Sequence, residues 1–296
     1  MMSIFDKDLF GKSKHESALA RIKNFCEGKR VLVAFSGGKD SQSCYHLCKE
    51  AGIDFSAQYS VTRFEPPELI QFIKANYPDV TFRKAFDQTL VDEIALNGLP
   101  TRWARWCCEA KHKATPGFDI AVIGVRAEES PKRAATWRAF GYKPDHSAYV
   151  CPIIDWTTAD VWEYLAFVGA KHCCLYDAPY NFKRIGCVCC PLASTKQMRR
   201  DAEIWPRSAA MLKLGAKKFV ERMAAQGFLT ARGKSCADWC KAENPLEEFW
   251  GRWLATGQTA KPIDWRPDGG EDDAPCLFAG TGFSESDGGG EDESIS

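Results

Sequence analysis

Residues 30–50 read RVLVAFSGGKDSQSCYHLCKE, and the order of their parts decides the fold. Residues 30–35 are a short apolar run rich in β-branched and aromatic side chains, which predicts a buried parallel strand. The run leads straight into Ser36-Gly37-Gly38-Lys39-Asp40-Ser41 and then into a helix predicted over 40–50. Paired glycines let a backbone approach an anion closely, and the amides that follow lie at a helix N-terminus with its partial positive charge. Lys39 adds a point charge for phosphate, Ser36 and Ser41 offer hydroxyls, and Asp40 can cap the helix or hold a magnesium ion. The spacing is not G-x-x-x-x-G-K followed by Ser or Thr, so this is not the P-loop of kinases and GTPases. A glycine pair alone would read as a plain turn. Strand, hexapeptide and helix together point to a nucleotide phosphate.

Outward from this unit, strands are predicted at 55–61, 80–85 and 118–125, alternating with helices at 67–75, 88–96 and 131–140. Strand alternating with helix implies crossover units and a mostly parallel sheet. The expected architecture is α/β: a Rossmann-like three-layer α/β/α domain over 30–195. Residues 1–29 read as an N-terminal helix, with Leu19, Ile22, Phe25 and Cys26 at three-to-four spacing and Gly28 as its stop. Residues 195–234 hold ten Lys or Arg against three acids, and 244–256 are rich in aromatics. A small helical appendage over 196–261 is the expectation.

The chain has 296 residues, 45% hydrophobic and 26% charged, near ordinary globular values, which excludes a fibrous or wholly disordered protein. Its longest apolar runs, 31–35 and 120–125, fall far short of the roughly 18 residues of a membrane span. Residues 1–10 carry Asp6, Lys7 and Asp8 where a secretory signal needs an apolar stretch. A soluble, cytoplasmic protein without membrane contact is expected. The formal net charge of zero is a sum of unlike parts: residues 268–296 hold nine acids and no base, leaving 39 bases against 30 acids, or +9, in 1–267. Residues 262–296, Gly- and Ser-rich and acidic, are expected to be disordered. They read either as a solubilising tail or as an acidic mimic that covers a basic site.

Fourteen cysteines in a chain with no secretory signal do not suggest a disulfide framework, so metal binding or catalysis is the better expectation. Cys44 and Cys48, four apart on a predicted helix, and Cys26 beside Phe25 are assigned to packing. Two groups stand out: Cys107-Cys108, and Cys187-x-x-Cys190 before Pro191, with 78 residues between Cys108 and Cys187. Four thiolates can hold zinc or an iron-sulfur cluster; adjacent cysteines are awkward around one tetrahedral ion, whereas a cubane offers separate iron corners. Arg102, Arg105, Lys111 and Lys113 surround the first pair, and cations beside thiols favour the thiolate. Cys189, inside the second motif, and Cys173-Cys174 are spare thiols. The Cys173-Cys174 pair is read as core.

Three segments resemble a known family. SGGKDS after a strand looks like the pyrophosphate loop of the PP-loop ATP pyrophosphatases. Gly124-Val125-Arg126-Ala127-Glu128-Glu129-Ser130 with Arg133 resembles the G-x-R-x-x-E-S-x-x-R block of their phosphoadenosine phosphosulfate (PAPS) reductase branch. Pro152-Ile153-Ile154-Asp155-Trp156 with Asp160 and Trp162 is similar to a third block of that branch. The resemblance implies the adenine nucleotide alpha hydrolase-like fold. It implies ATP and Mg²⁺ at Ser36, Gly37, Gly38, Lys39, Asp40 and Ser41, with Lys39 and Asp40 catalytic. It also implies a 4Fe-4S cluster, with Zn²⁺ as the alternative, on Cys107, Cys108, Cys187 and Cys190. Arg126 and Arg133 leave a strand end, where α/β sheets place ligands, and suit a second anion; their alternative is a structural ion pair with Glu128 or Glu129.

Two activities remain open within the branch. A sulfonucleotide reductase would make sulfite from PAPS or adenosine phosphosulfate, using a C-terminal cysteine in an E-C-G-x-H motif. No such motif occurs; Cys276 lies in Pro275-Cys276-Leu277, and the glycine loop keeps the lysine that such reductases usually lack. An ATP-dependent sulfurtransferase would adenylate an acceptor, release pyrophosphate and displace AMP with sulfur. Its partners would be an adenine nucleotide, an anionic acceptor such as a nucleic acid, and a sulfur donor or reductant protein. Arg199, Arg200, Lys217, Lys218 and Arg222 could follow a nucleic-acid backbone with Trp205 for stacking, or form a solvated helix face.

Overall fold

Strand β1 (Val31–Ala34) lies inside a six-stranded sheet because Val31 and Val33 are buried and both its edges are paired. In the computed structural model, which describes residues 3–112, 116–143, 147–227 and 238–259, β1 runs straight into helix α2 (Lys39–Glu50). Strands β2 (Phe55–Val61) and β3 (Thr81–Lys84) extend the sheet on one side, with Val33 opposite Ala57 and Tyr59 opposite Phe82. Helix α1 (Lys14–Cys26) precedes β1, α3 (Pro67–Asn76) joins β2 to β3, and α4 (Leu90–Asn97) and α5 (Trp106–His112) follow β3. On the other side come β4 (Ile120–Val122), helix α6 (Pro131–Thr136), β5 (Phe140–Tyr142) and β6 (Ala148–Val150). The sheet order is β3-β2-β1-β4-β6-β5, parallel throughout except for edge strand β5. Helices α7 (Thr158–Phe167), α8 (Thr195–Ile204), α9 (Pro206–Ala225) and α10 (Pro245–Thr256) complete the chain order.

The parallel α/β architecture matches the expectation, and the differences have local causes. The first helix covers 14–26 rather than 1–29, because Ser13 and Glu16 form a reciprocal capping box that starts it and Gly28, at φ 69°, ends the turn. The helix expected over 131–140 stops at Thr136, and Phe140 enters β5 instead. Gly141 permits this pairing, since a Cβ there would lie 2.6 Å from the Tyr149 hydroxyl. The strand expected over 118–125 shortens to three residues, as Val125 turns back to the Ile123 carbonyl. The tail 262–296 with Cys276, and Lys113, lie outside the described residues.

Helices α8 to α10 share the core of the sheet domain. Leu212, Ala216 and Phe219 of α9 face α4, and the indole of Trp253 on α10 donates to the Pro100 carbonyl at 2.6 Å. At Gly215 the two helices touch so closely that a Cβ would lie 2.7 Å from the Ile94 Cβ. Helix propensity favours Ala over Gly by about 0.8–1 kcal/mol, whereas overpacking costs about 1–3 kcal/mol, so crowding wins at this site. Gly215→Ala should therefore lower the urea midpoint. Gly251→Ala, on the open face of α10 with nothing within 4 Å, should raise it by about 1 kcal/mol equivalent.

Candidate active site: a glycine loop and a thiol cluster on one sheet edge

Because β1, β2 and β4 are parallel, the loops that follow them all emerge at the same edge. The loop after β1 is residues 36–41. Gly37 takes φ 73°, and a Cβ there would collide with Ile73 and Leu69 of α3 at 2.7–2.8 Å, so glycine is required on both counts. Gly38 is the N-cap of α2, which leaves backbone amides at the helix start. One of them, Lys39 N–H, donates to the Tyr176 hydroxyl at 3.0 Å. The Ser41 hydroxyl accepts from the Ser36 amide and hydroxyl, both at 3.1 Å, and donates to the Gly38 carbonyl at 2.9 Å. The serines expected to face an anion thus brace the loop itself. Gln42 adds a bond to the Gly37 carbonyl at 2.9 Å and is held in turn by Tyr77.

Asp40 sits between two cations. Its carboxylate receives Lys39 Nζ at 2.9 Å and Arg126 Nε at 2.6 Å, with Lys39 and Arg126 each 3–5% exposed. Asp40 does not cap α2, and Lys39 and Arg126 each engage one of its two oxygens. Arg126 also binds Glu128 at 2.6 Å, the Trp156 carbonyl at 3.3 Å and the Thr158 hydroxyl at 3.2 Å. A Cβ on Gly124 would lie 2.9 Å from the Asp40 carbonyl group, so the second motif presses directly on the first. Arg133 pairs with Glu129, which Arg184 also approaches at 3.3 Å. Both arginines expected at a second anion site are therefore ion-paired within the fold. Burial and the neighbouring Arg184 charge disfavour the Arg133 cation. The third block is structural: Trp156 is core, Asp160 caps α7 and pairs with Lys14, and Asp155 takes a bidentate bond from Arg21.

The loop after β2 carries the thiols' neighbourhood. Val188 N–H donates to the Phe64 carbonyl at 2.7 Å, which seats residues 187–190 on that turn. Helix α5 brings Cys107 and Cys108 to Cys187 and Cys190, so all four thiols feel one another electrostatically. A hydrogen bond from Cys107 lowers the Cys108 pKa, helped by Arg105 and Lys111, and raises that of Cys107. Burial pushes Cys187 up to about 12. Burial acts to lower the Lys111 pKa, but Cys187, Glu65 and the other thiols outweigh it and raise the pKa. Lys111 Nζ stands 3.7 Å from the buried Glu65, whose Oε1 accepts from Thr62 and whose Oε2 has no described partner. Among the described residues, no three His, Cys, Asp or Glu side chains converge as a single metal ion requires. In donor chemistry, the four thiols Cys107, Cys108, Cys187 and Cys190 suit an iron-sulfur cluster, whose irons take one thiolate each.

Other expectations resolve differently. The Cys189 thiol turns away, buried, and donates to the Met198 carbonyl at 3.4 Å, with its backbone at φ 54° and its amide on Asp201. Cys26, Cys44, Cys48 and Cys173 are core, but Cys174 is exposed. Trp205 is unavailable for stacking on a base: it is buried against Phe182 and donates to Glu68 at 2.9 Å. Lys218 pairs with Asp92, Lys217 with Glu221, Arg222 binds two α4 carbonyls, and Arg200 packs on Phe182. These cations fasten helices. Tyr176, Glu65, Thr158 and Arg184 join the site without any motif, since each comes from a segment distant in sequence.

Among the described residues, no helix is long and apolar enough to cross a membrane. The phosphoadenosine phosphosulfate reductase domain family matches residues 30–193. An adenosine 5'-phosphosulfate reductase of Staphylococcus saprophyticus is 30% identical over 212 residues, covering 68% of this chain and 87% of the relative. An uncharacterized protein of Methanocaldococcus jannaschii is 27% identical over 217 residues, covering 66% of this chain, which spans half of that relative's length. Among solved structures, a PAPS reductase from Candida auris in a phosphate complex superposes with TM-score 0.44 at 15% identity, covering 58% of this chain and 88% of its own. The U34-tRNA thiolase NcsA from Methanococcus maripaludis, with its 4Fe-4S cluster, gives TM-score 0.41 at 14% identity over 82% of this chain and 95% of its own. With the glycine loop, the Arg126 block and the cysteine motifs in or beside the matched region, the chain belongs to the phosphoadenosine phosphosulfate reductase domain family.

Proposed function

We propose that this protein binds ATP on residues 36–41, adenylates an anionic acceptor with release of pyrophosphate, and transfers sulfur from a sulfur donor to the adenylated position, with AMP as the leaving group. The observation that carries this reading is the complete glycine loop, with Lys39 in place, on the same sheet edge as four clustered thiols. Helix amides and Lys39 suit the β,γ-phosphates that a sulfonucleotide lacks. Lys39, released from Asp40 toward the phosphates, would stabilise the charge that builds on departing pyrophosphate. Arg126 would keep Asp40 and the loop in place while Arg133 and Arg184, beside one another at Glu129, meet the α-phosphate or acceptor. Mg²⁺ would arrive with the nucleotide. Cys107, Cys108, Cys187 and Cys190 would hold the 4Fe-4S cluster, which when bound supplies a site for sulfur or for electrons. Cytoplasmic residence and a sulfur donor or reductant protein as partner belong to the same reading.

The reductase reading is favoured by the similarity to adenosine 5'-phosphosulfate reductases, one of them 30% identical. Anaerobic calorimetric titration separates the two: a non-hydrolysable ATP analogue with Mg²⁺ should bind more tightly than PAPS or adenosine phosphosulfate, and the reverse order would establish the reductase. Lys39→Ala should cut pyrophosphate release about 100-fold or more, with the circular dichroism spectrum retained. Cys107→Ser should lose most of the iron and acid-labile sulfide of anaerobically purified protein; full occupancy would remove Cys107 from the ligand set.

A further inference from the structure

The first amide of helix α2 is already taken. No carbonyl within the helix can accept from Lys39 N–H, which makes it one of the donors that a phosphate on residues 36–41 would use. It donates at 3.0 Å to the Tyr176 hydroxyl, which stands 3.4 Å from where a Cβ on Gly38 would lie. A phenol oxygen is neutral, whereas a phosphate oxygen carries charge, and charge-assisted hydrogen bonds are roughly twice as strong as neutral ones. Phosphate and Tyr176 therefore compete for one donor, and phosphate is the stronger acceptor.

The hydroxyl is free to give way. Among the described residues, the Lys39 amide is its one hydrogen-bond partner. The ring meets Trp162 edge to face, with centroids 5.0 Å apart, and the chain just before it is anchored by the buried Leu175. Rotation of the side chain can thus vacate the amide without unseating the core.

Tyr176 also opens a segment that ends at a thiol. Residues 175–182 close on themselves, with Phe182 N–H on the Leu175 carbonyl at 2.9 Å and Asn181 N–H on the Asp177 carbonyl at 2.7 Å. Arg200 of α8 holds the Tyr180 carbonyl and lies over the Phe182 ring at 5.0 Å, which fixes the middle of the segment. Beyond it Arg184, 65% exposed, reaches Glu129 at 3.3 Å, and Cys187 follows. One end of the segment therefore rests on the glycine loop and the other carries a member of the thiol cluster.

We propose that Tyr176 is a latch on the phosphate site: its hydroxyl holds the Lys39 amide until a nucleotide phosphate takes that amide, and its release loosens residues 177–187. This rests on the reading that residues 36–41 bind ATP, and it adds the residue that gates them. Tyr176 is a positioning residue, since no bond of the substrate is made or broken on it. The consequence is an order of events, in which the Cys187 end of the segment is freed only once the nucleotide is seated.

Tyr176→Phe tests this, because it removes the hydroxyl and keeps the ring against Trp162. In anaerobic calorimetry on the full chain, the variant should bind a non-hydrolysable ATP analogue with Mg²⁺ about two- to tenfold more tightly than the unaltered protein, as withdrawal of a competing hydrogen bond of ordinary net strength requires. Hydrogen–deuterium exchange gives the second readout. The analogue should speed exchange of peptides within 177–187 several-fold in the unaltered chain, whereas in Tyr176→Phe they should exchange fast from the start and respond little. Equal or weaker binding by Tyr176→Phe is the result for a tyrosine that only braces the loop or itself contacts the phosphate, and it overturns the latch while leaving ATP binding in place. Exchange over 177–187 that ignores the bound analogue overturns it equally. Failure of the analogue to bind either protein would overturn the ATP reading and the latch with it.

Discussion

The Asp40 carboxylate, held between Lys39 at 2.9 Å and Arg126 at 2.6 Å, is the constraint on which the site depends. Two buried cations near one another would repel at a cost the interior magnifies, and neither would tolerate burial unpaired. Asp40 pairs with both while Glu128 takes a second face of Arg126, and in doing so Asp40 joins the helix after β1 to the turn after β4. Glycine at 124 is the steric half of the same joint, since any side chain there would strike the Asp40 backbone. The glycine loop therefore has its shape before any nucleotide arrives. Ser36, Ser41 and Gln42 tighten it through bonds that stay within the loop, and Tyr176 satisfies the Lys39 amide from across the site.

A second balance of charge operates at the thiols. Burial raises the Cys187 pKa, while the hydrogen bond from Cys107, helped by Arg105 and Lys111, lowers that of Cys108. Lys111 keeps its charge in a poorly solvated position because Glu65 and the thiols surround it. The two centres are coupled through the sheet: parallel pairing of β1, β2 and β4 puts the turns that carry them on one edge, and α3 lies under Gly37 while the turn after β2 supports Val188. Helices α8 to α10 pack on the same core, and several of their cations bind carbonyls and carboxylates of the fold.

Much of this was legible in the linear chain. The strand-loop-helix unit at 30–50, β2 and α3 fell within a residue or two of their observed bounds, because local hydrophobic period and glycine geometry govern them. The cysteine pairs were legible because their spacing is itself the signal. Strands β5 and β6 were not, since three-residue elements lie below the length at which period can be read, and Phe140 fits a helical stripe as well as an edge strand. Trp205 read as a base-stacking platform and proved to be core, because exposure is a property of packing and leaves no mark on an aromatic residue's local sequence.

Sequence alone determined the chemistry available to this protein: a phosphate-cradling loop with its lysine, four thiols in two motifs, two arginines beyond a strand, and an acidic segment after a basic body. Only the tertiary structure decided how those groups are spent. Arg126 and Arg133 are committed to Asp40, Glu128 and Glu129, Cys189 points into α8, and Tyr176 reaches the loop from 137 residues away. The reason is physical. Which groups a side chain can offer follows from its covalent structure, but which it keeps free depends on the desolvation and pairing imposed by neighbours that only folding brings together.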